Sequence, residues 1–585
     1  MPEYKSPQNE PGMDRNLLFV FLLMAVVIFG SQLLFKKFAP PQPPSAAHPN
    51  QQPIQSGAPS TPASAVPAEP VAVTSAKKPA QPQEPSKQAA SESQTVIEND
   101  LYKITFTNRG AQATSWILKK FSDDQGKPLD LVNSTAAAKY GYPLSLWTYD
   151  EALRTKLNSA LYVSSKNGPA FSAPADLSFD YSDAGLTVRK TFHFDNSYVV
   201  GVETSVLSNG SPVWAFPAWP AGFGDQTSAA AYAAAQFEYQ ANSNIERVAV
   251  KKVSGGNSPR GTYDWVGITD TYFAAAFIPD NPDNVVAVSL HYAIDLPGSD
   301  PNQPKPADVS GAAVGQPGES KERLFAGPKS LEVLESIHIP TIVGAEKDLR
   351  GVVNFGSLGL IARPLFIWLR WTYKYVHNWG WAIVIQTILI TIVLLPLRIT
   401  QMKSALKMQR VQPQAKAIQE KYKKYSMRDP RKQDMQKEIA ALYKEHGVNP
   451  IGGCLPLLVQ LPFLWAYYKM LGAAIDLRHA HWLWIRDLSS PDPYYLLPLI
   501  MVVSMIVMQR MTPQPGVDPA QQRMMNIMMP LMMGFIFFKL AAGLNLYYAL
   551  SNLIMITQQA IMNRTTLGRE MREIAAKRAR KKDKS

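Results

Sequence analysis

The sequence predicts a membrane α-helical bundle of six transmembrane helices that carries an extracytoplasmic all-β domain. Two patterns predict this fold class. Six apolar runs each approach the roughly 20 residues that a helix needs to cross a bilayer. Between the first and second runs, short segments alternate apolar and polar residues with period two, as in β-sandwiches. The predicted spans are 17–35, 379–397, 451–475, 494–511, 524–542 and 543–562.

The N-terminal part predicts a membrane anchor followed by a tether. Residues 1–16 form a short polar terminus, and the apolar run 17–35 is longer than the core of a typical signal peptide. Two lysines follow it without a clear cleavage site, so we interpret it as an uncleaved transmembrane helix. Residues 36–98 are rich in Pro, Ala, Gln and Ser, which predicts a disordered linker because such a composition cannot bury a core.

Residues 99–345 predict the all-β domain. Tyr102, Ile104 and Phe106 alternate with polar residues, and the segments LTVRKTFHF and YVVGVETSVL flank a turn at Asp195 and Asn196. Gly, Pro, Asn and Asp separate the short runs, which favours a sandwich of antiparallel strands. No run within this domain is long and apolar enough to predict a transmembrane helix.

The segment 354–376 predicts a helix that lies in the membrane interface. It mixes Arg363, Arg370 and Lys374 with Leu, Ile, Phe, Trp and Tyr. Such a helix places its aromatic rings at headgroup depth while its cationic side chains extend to the phosphates. A soluble linker helix is the alternative.

The distribution of Lys and Arg predicts the orientation in the membrane. The stretch 398–446 contains thirteen Lys and Arg residues against five acidic ones, and the tail 563–585 is also basic. Basic loops face the cytoplasm, so the loops 398–450 and 512–523 and the tail are predicted there, with the loop 476–493 on the other side. Six spans then put both termini in the cytoplasm and the β domain outside. Lys36 and Lys37 argue for the reverse, but long domains translocate regardless of flanking charge.

The cytoplasmic loop 398–450 predicts a basic helical hairpin. Its apolar residues recur at steps of three and four in two segments separated by SMRDPR. Clustered cations predict contact with a phosphate-rich partner or a membrane surface. The simpler interpretation is that they only set the orientation in the membrane and bind anionic lipid. The predicted cytoplasmic contact residues are Lys416, Lys421, Lys423 and Lys424 in the hairpin and Arg578, Arg580, Lys581 and Lys582 in the tail.

The sequence offers no catalytic, cofactor or metal site. It contains one cysteine and neither a nucleotide-binding glycine motif nor HExxH. The predicted spans lack Asp and Glu, which argues against an ion-coupled transporter. They carry neutral polar residues instead, such as Gln386, Thr387 and Thr391, followed by Arg398. Each could bond one helix to another at about 1 kcal/mol; together they could line a hydrated concavity.

The membrane half contains motifs with a close resemblance to a known family. The segments NWGWAIVIQTILITIVLLPL, NPIGGCLPLLVQLPF and GLNLYYALSNLIMITQQ occur in order within about residues 350–565. They resemble the YidC/Alb/Oxa family of membrane insertases, in its Gram-negative form with a β-supersandwich outside the membrane. The resemblance implies a five-helix insertase core with a hydrophilic groove open to the cytoplasm and to lipid. It also implies a bacterial inner-membrane location, nascent membrane proteins as clients, action alone or with the Sec translocon, ribosome contact, no enzymatic activity and no DNA binding.

The resemblance also implies groove residues, with one departure. Thr387 and Tyr548 match groove positions and Gln460 matches a polar position of the third span. Family members carry an arginine where this chain has Thr391, so attraction of acidic client flanks at mid-groove is not carried over. We expect positive charge at the ends of the groove instead. The complete predicted set is Gln386, Thr387, Thr391, Arg398, Gln460, Lys539 and Tyr548.

Two other functions are compatible with the residues. One is an envelope glycan-binding or sugar-modifying protein with a membrane anchor, because supersandwich folds also occur in sugar-active enzymes. The other is a polar-lined transporter. Deletion of residues 100–340 distinguishes an insertase from a sugar-active protein. The insertase should keep most of its activity, whereas the sugar-active protein should lose all of it.

Overall fold

The computed structural model describes residues 86–565 and Arg569, apart from 124, 167, 225–231, 233, 242–243, 257–259, 297–304, 341–346, 426–428, 448–454 and 512–518. The predicted N-terminus, first anchor and most of the linker lie outside the described residues. So do Arg578, Arg580, Lys581 and Lys582 of the tail and the side chain of Gln460.

Residues 94–348 form a β-rich domain in which apolar side chains alternate inward along the strands. In the strand Leu186–Phe194, for example, every second side chain is buried. The strands are β1 Gln94–Glu98, β2 Tyr102–Thr107, β3 Gln112–Ser122, β4 Pro128–Asp130, β5 Ser145–Trp147, β6 Val163–Ser164, β7 Ala170–Ser172, β8 Ala175–Asp183, β9 Leu186–Phe194, β10 Val199–Ser208, β11 Ser211–Pro212, β12 Phe216–Trp219, β13 Gln236–Ala241, β14 Asn244–Ala249, β15 Arg260–Gly261, β16 Tyr263–Thr269, β17 Phe273–Pro279, β18 Val285–Leu296, β19 Lys305–Gly315, β20 Glu319–Pro328, β21 His338–Ile339 and β22 Lys347–Asp348.

The strands are arranged in three larger sheets and one short ribbon. One sheet has the order β4-β3-β2-β1-β7, and the largest runs β14-β13-β16-β17-β20-β10-β9-β8-β6 with β11 on β10. The third has the order β15-β18-β19-β12-β5, and β21 pairs with β22. Strand β1 lies inside the predicted linker 36–98, so the linker boundary was placed too late. The residues of β1 pair with both β2 and β7. This pairing stabilises a strand that the local composition does not predict.

Helices dominate the chain from residue 359 onward. The prediction of a β-rich domain followed by a helical region is therefore confirmed. The helices are α1 Ser134–Tyr140, α2 Glu151–Ser159, α3 Leu331–Glu335, α4 Gly359–Val376, α5 Trp379–Val393, α6 Leu395–Lys421, α7 Arg431–Glu445, α8 Leu455–Ala473, α9 Leu496–Met511, α10 Pro519–Phe537 and α11 Ala542–Arg564.

The NWGW segment separates α4 from α5 by local capping. His377 adopts a left-handed conformation with φ of 52° and its N–H donates to the Tyr373 carbonyl, which ends α4. The Asn378 side chain then accepts a 3.1 Å hydrogen bond from the Trp381 amide and caps the start of α5. The two helices therefore turn back on each other and pack together.

The predicted helix 379–397 is broken near its end. Helix α5 stops at Val393, and α6 begins at Leu395 with Pro396 in its first turn. Proline has no N–H and its ring clashes with the carbonyl four residues earlier, so it starts helices and interrupts them. Arg398 therefore belongs to the helix that continues into the hairpin.

None of the helices within the described residues combines the length and apolarity needed for crossing a membrane.

Candidate functional site

Five helices of the C-terminal region meet around a buried polar cluster. Helix α5 packs against α4 and α11, while α8 contacts α4 and α11, and α9 packs on α11. The facing surfaces are mostly apolar, with Ile383 and Ile390 of α5 buried. Neutral polar side chains interrupt these surfaces where the helices meet.

Gln386 joins three helices. It is fully buried. Its amide nitrogen donates to the Leu365 carbonyl of α4 at 2.8 Å, and its amide oxygen accepts from the Tyr467 hydroxyl of α8 at 3.0 Å. Both bonds are enclosed by protein, where an unpaired amide would be costly.

The two threonines of the predicted ladder bond to their own helix. Thr387 is fully buried and its hydroxyl donates to the Ile383 carbonyl at 2.6 Å. The Thr391 hydroxyl donates in the same way to the Thr387 carbonyl. Such bonds to the preceding turn leave only the lone pairs of the hydroxyl oxygen for another partner.

Two tyrosines that the sequence did not single out connect α8 to α11. The Tyr467 ring stacks on that of Tyr547, with centroids 4.2 Å apart. Tyr548, the predicted groove residue, is partly buried and meets the Phe537 ring edge-on at 4.6 Å. Tyr467 follows Gln460 by seven residues, so a helical projection of α8 would have put both on one face.

Helix α11 carries the polar line further toward its C-terminus. The Asn552 amide donates to the Ser504 hydroxyl of α9 at 3.1 Å, and both side chains are buried. Asn545 is fully buried, and its amide nitrogen donates to the Phe537 and Leu540 carbonyls at the end of α10. These bonds fix the positions of α9, α10 and α11 relative to one another.

Three side-chain amide oxygens have no hydrogen-bond partner within the described part of the chain. They belong to Gln509 of α9 and to Asn545 and Gln558 of α11. Buried acceptors are nearly always satisfied, so each of these oxygens has capacity for a further hydrogen bond.

The two predicted end charges lie in different surroundings. Arg398 is partly exposed and lies near the Tyr547 phenol, at the edge of the polar cluster. Lys539 lies exposed in the turn between α10 and α11, with its ammonium 5.2 Å from the centre of the Phe535 ring. The structure thus brings Gln386, Thr387, Thr391 and Arg398 near one cluster and puts Lys539 at the far end of α10.

The predicted hairpin consists of α6 and α7. Val411, Ala415 and Ile439 are buried in its seam. Lys421 forms a 3.0 Å ion pair with Glu438, which also accepts a hydrogen bond from the Tyr422 hydroxyl. Lys416, Lys423 and Lys424 are exposed along the same hairpin. The hairpin therefore has a small apolar core and a surface rich in cations.

Comparison with known proteins identifies the family. The family model for the YidC periplasmic domain matches residues 94–368, and the model for the 60Kd inner membrane protein matches residues 371–569. The membrane protein insertase YidC of Geobacter metallireducens is 32% identical over 95% of this chain and 100% of its own length. The chain belongs to the YidC family of membrane protein insertases.

Other YidC proteins also match long stretches of the chain. The insertase YidC of Syntrophus aciditrophicus is 31% identical over 94% of this chain and all of its own length. A crystal structure of an active YidC insertase with its first transmembrane domain resolved is 20% identical and covers 83% of this chain and 95% of its own, at a TM-score of 0.34. The family assignment confirms the insertase interpretation over the sugar-active protein and the transporter. It also confirms that the chain is an inner-membrane protein with a periplasmic domain, and it indicates that the chain is not an enzyme.

Proposed function

We propose that the chain inserts membrane proteins through a polar groove where α5, α8 and α11 meet. The observation that carries the proposal is the Gln386–Tyr467–Tyr547 cluster, which is polar, buried and surrounded by apolar helices. Moving a polar client flank through hydrocarbon costs several kcal/mol for each unsatisfied group. A polar path through part of the membrane reduces that cost, and burial of the client's apolar segment in lipid drives insertion.

The cluster forms the back wall of this groove, and buried amide oxygens on α9 and α11 continue it. The amide oxygens of Gln509, Asn545 and Gln558 support this arrangement because they lack protein donors among the described residues. Each can hold water or an N–H group of the client. Thr387, Thr391, Gln460 and Tyr548 complete the proposed lining.

The proposed membrane topology has six spans, at 17–35, 379–397, 451–475, 494–511, 524–542 and 543–562. Both termini are cytoplasmic and the β domain, a supersandwich, is periplasmic. The Lys/Arg bias toward the 398–450 loop and the tail supports this orientation. The periplasmic-domain model that matches residues 94–368 supports the position of the β domain.

Helix α4 lies in the periplasmic membrane interface in this proposal. Four exposed apolar side chains, Leu360, Ile367, Trp371 and Tyr375, follow one another at helical spacing along a single stripe. We call them the apolar stripe of α4. Its opposite face is buried against the protein. An exposed stripe of this kind is typical of helices that lie in the headgroup region.

Positive charge acts at the ends of the groove rather than in its middle. Thr391 occupies the position of the family's groove arginine, whereas Arg398 lies near Tyr547, beyond the break between α5 and α6. Lys539 lies at the opposite end. We propose that these two cations attract acidic flanks of clients, an effect that water and salt keep modest.

Paired clients with acidic or neutral outer flanks test the role of the charges. Insertion is measured in vesicles for the wild type, Arg398→Gln, Lys539→Gln and Thr391→Arg. We expect either loss of charge to slow the acidic client about threefold relative to the neutral one, which corresponds to a charge interaction below 1 kcal/mol. Thr391→Arg should be tolerated. If neither Arg398→Gln nor Lys539→Gln slows the acidic client more than the neutral one, the cations only anchor the protein and the groove acts by its polarity alone.

The proposed partners beyond the membrane and its client proteins are the Sec translocon and the ribosome. The exposed lysines of the hairpin and the basic tail support a ribosome contact, and phosphate binding of this kind weakens steeply with salt. Co-sedimentation of ribosomes with the full-length protein should fall at least about tenfold when the chain is truncated after Arg564, and fall again as salt rises. Equal, salt-insensitive binding would exclude the contact.

The hairpin should serve insertion rather than stability. Its seam is small and its surface is charged, so it opens locally at low cost. Deletion of residues 405–440 should give a stable, membrane-inserted protein that fails to insert clients. Degradation of the deletion variant would show that the hairpin is needed for stability rather than for insertion.

A further inference from the structure

A cavity of about 360 Å³ lies where the β domain meets the first turn of α4. Its volume falls within the range of about 300–1,000 Å³ that is typical of small-ligand sites. Strand β14, the connection from Asp348 to Gly356 and the start of α4 supply its walls. Three arginines line it against one acid, Asp348; they are Arg247, Arg350 and Arg363.

Two of the arginines are fixed by the protein. Arg350 forms a fork on Asp348 and an ion pair with Glu335 at 2.6 Å. Arg247 pairs with the buried Glu238 at 3.2 Å and donates to the Gly351 carbonyl at 2.6 Å. Their charges are therefore largely compensated, and they give the cavity a rigid wall.

Arg363 differs from both. It is exposed and makes no hydrogen bond or ion pair among the residues that the structure describes, although the carboxylate of Asp348, which Arg350 already holds, acts on it electrostatically. A guanidinium has five N–H donors in a planar fork that suits phosphate oxygens. Arg363 thus brings a charge that Asp348 only partly compensates, and free N–H donors, to a cavity already walled by two other guanidinium groups.

The position of Arg363 on α4 points to the source of the phosphate. It lies on the same side of the apolar stripe of α4 as Arg370 and Lys374, within 100° of the stripe on a helical projection that advances about 100° for each residue. Arg370 is paired with Glu332 of the β domain. If the stripe lies in the membrane interface, this side of the helix lies at the depth of the lipid phosphates.

We propose that this cavity binds the phosphate of an anionic phospholipid headgroup, with Arg363 as its main ligand and the fixed Arg247 behind it. The proposal rests on the interfacial position of α4 in the proposed function. A bound headgroup would tie the β domain to the membrane surface at the start of α4. Inorganic phosphate shares the chemistry, and the experiment separates the two sources.

Calorimetric titration of the full-length protein in a neutral detergent tests the cavity. The probes are dihexanoyl-phosphatidylglycerol, dihexanoyl-phosphatidylcholine and inorganic phosphate. We expect the phosphatidylglycerol to bind more tightly than the other two, and Arg363→Gln to weaken it at least about tenfold, as is typical for a hydrogen-bonded charge. Lys374→Gln is the matched control, because it removes an exposed cation from the same side of α4 about 16 Å away. It should change the affinity less than twofold.

A second variant fills the cavity without changing its charge. Gly359 lines it, and a Cβ at this position would meet only the Phe355 Cβ at 3.6 Å, an ordinary contact. Gly359→Leu should therefore fold and weaken phosphatidylglycerol binding while Arg363 is intact. Equal weakening by Lys374→Gln, unchanged binding in Arg363→Gln, or inorganic phosphate binding as tightly as the lipid would overturn the proposal.

The binding readout is independent of insertion. A wild-type protein that binds the lipid but inserts no client contradicts the proposed function and supports the cavity. Normal insertion without selective lipid binding leaves the proposed function in place and excludes the cavity as a lipid site.

Discussion

The β domain and the helical region both bury polar side chains, but of different kinds. The β domain buries ionisable groups, among them Lys190, Glu238 and Glu322. In the helices from residue 359 onward, the buried polar side chains of the described residues are neutral amides and hydroxyls, whereas the connection between α8 and α9 buries the carboxyl of Asp492. The first kind demands fixed partners, whereas the second can exchange a protein partner for water at low cost.

The buried groups of the two regions also differ in how they are enclosed. Lys190 is enclosed by three backbone carbonyls, those of Gly110, Ala111 and Leu144. In contrast, Gln509, Asn545 and Gln558 each keep an amide oxygen without a protein donor in the described structure. Buried oxygens that accept no hydrogen bond from the described residues also occur in the β domain, on Glu238 and Glu322, so the contrast lies in charge rather than in number: those of Gln509, Asn545 and Gln558 belong to neutral amides.

The largest stability effect is expected from Lys190→Met. The side chain keeps its length, but three buried carbonyls lose their donor, each at a cost of about 1–3 kcal/mol, and part of this is offset because no charge is then buried. We expect a net loss of roughly 4 kcal/mol in the free energy of unfolding of the β domain. Urea unfolding of the full-length protein, followed by tryptophan fluorescence, measures it.

Lys321→Met is the control for this substitution. Lys321 is half exposed and pairs with Glu203 and Glu319 at the surface of the largest sheet. Exposed ion pairs contribute about 0–1 kcal/mol. If Lys190→Met costs no more than Lys321→Met, the enclosed ammonium does not hold the turn of Gly110 and the comparison between the regions fails.

The next effect is a pH dependence that originates from Glu322. Burial raises the pKa of this carboxyl from 4.5 to about 8, and one of its oxygens lacks a donor in the described structure. The folded state then binds the proton more tightly than the unfolded state. Stability is thus fully present below about pH 4.5 and is lost as the pH rises toward 8, by roughly 2–3 kcal/mol between pH 5 and pH 8.

Glu322→Gln should remove this slope. The amide is neutral at every pH, so the variant should lose the decline and keep only the gain in stability above about pH 7 that arises because burial lowers the pKa of Lys190 to about 7. Glu319→Gln, an exposed carboxylate on the same strand, should keep the wild-type slope. A wild type whose stability is flat over this interval would show that Glu322 is not a buried acid.

Local sequence patterns predicted the faces of the elements well. Tyr102, Ile104 and Phe106 are all fully buried, as their alternation indicates. The turn at Asp195 and Asn196 joins two antiparallel strands, β9 and β10. Apolar spacing in the hairpin likewise picked out Val411, Ala415 and Ile439. In each case the information lies within about ten neighbouring residues.

Partners distant in the sequence could not be predicted in this way. Gln386 and Tyr467 bond across 81 residues, and Lys190 reaches a carbonyl 80 residues away. Periodicity gives the face on which a residue lies but not the element that covers it. Lys190 shares the inward register of Val188 and Phe192, so its burial could be found from sequence, although its three carbonyl partners could not.

The smallest stability effect is expected where the functional effect is proposed. Tyr467→Phe removes one hydroxyl and keeps the ring stacked on Tyr547, so packing should be preserved. The lost bond to Gln386 should lower the free energy of unfolding by only about 1 kcal/mol, as is typical between helices in membranes. The freed Gln386 oxygen can then bind water, which changes the polar wall of the groove without collapsing it. We expect client insertion in vesicles to slow severalfold.

Tyr375→Phe is the control, because that hydroxyl belongs to the exposed stripe of α4 outside the cluster. If Tyr467→Phe destabilises the protein as strongly as Lys190→Met, the cluster is a structural core like that of the β domain. If it changes neither stability nor insertion, the cluster is not part of the path that clients follow.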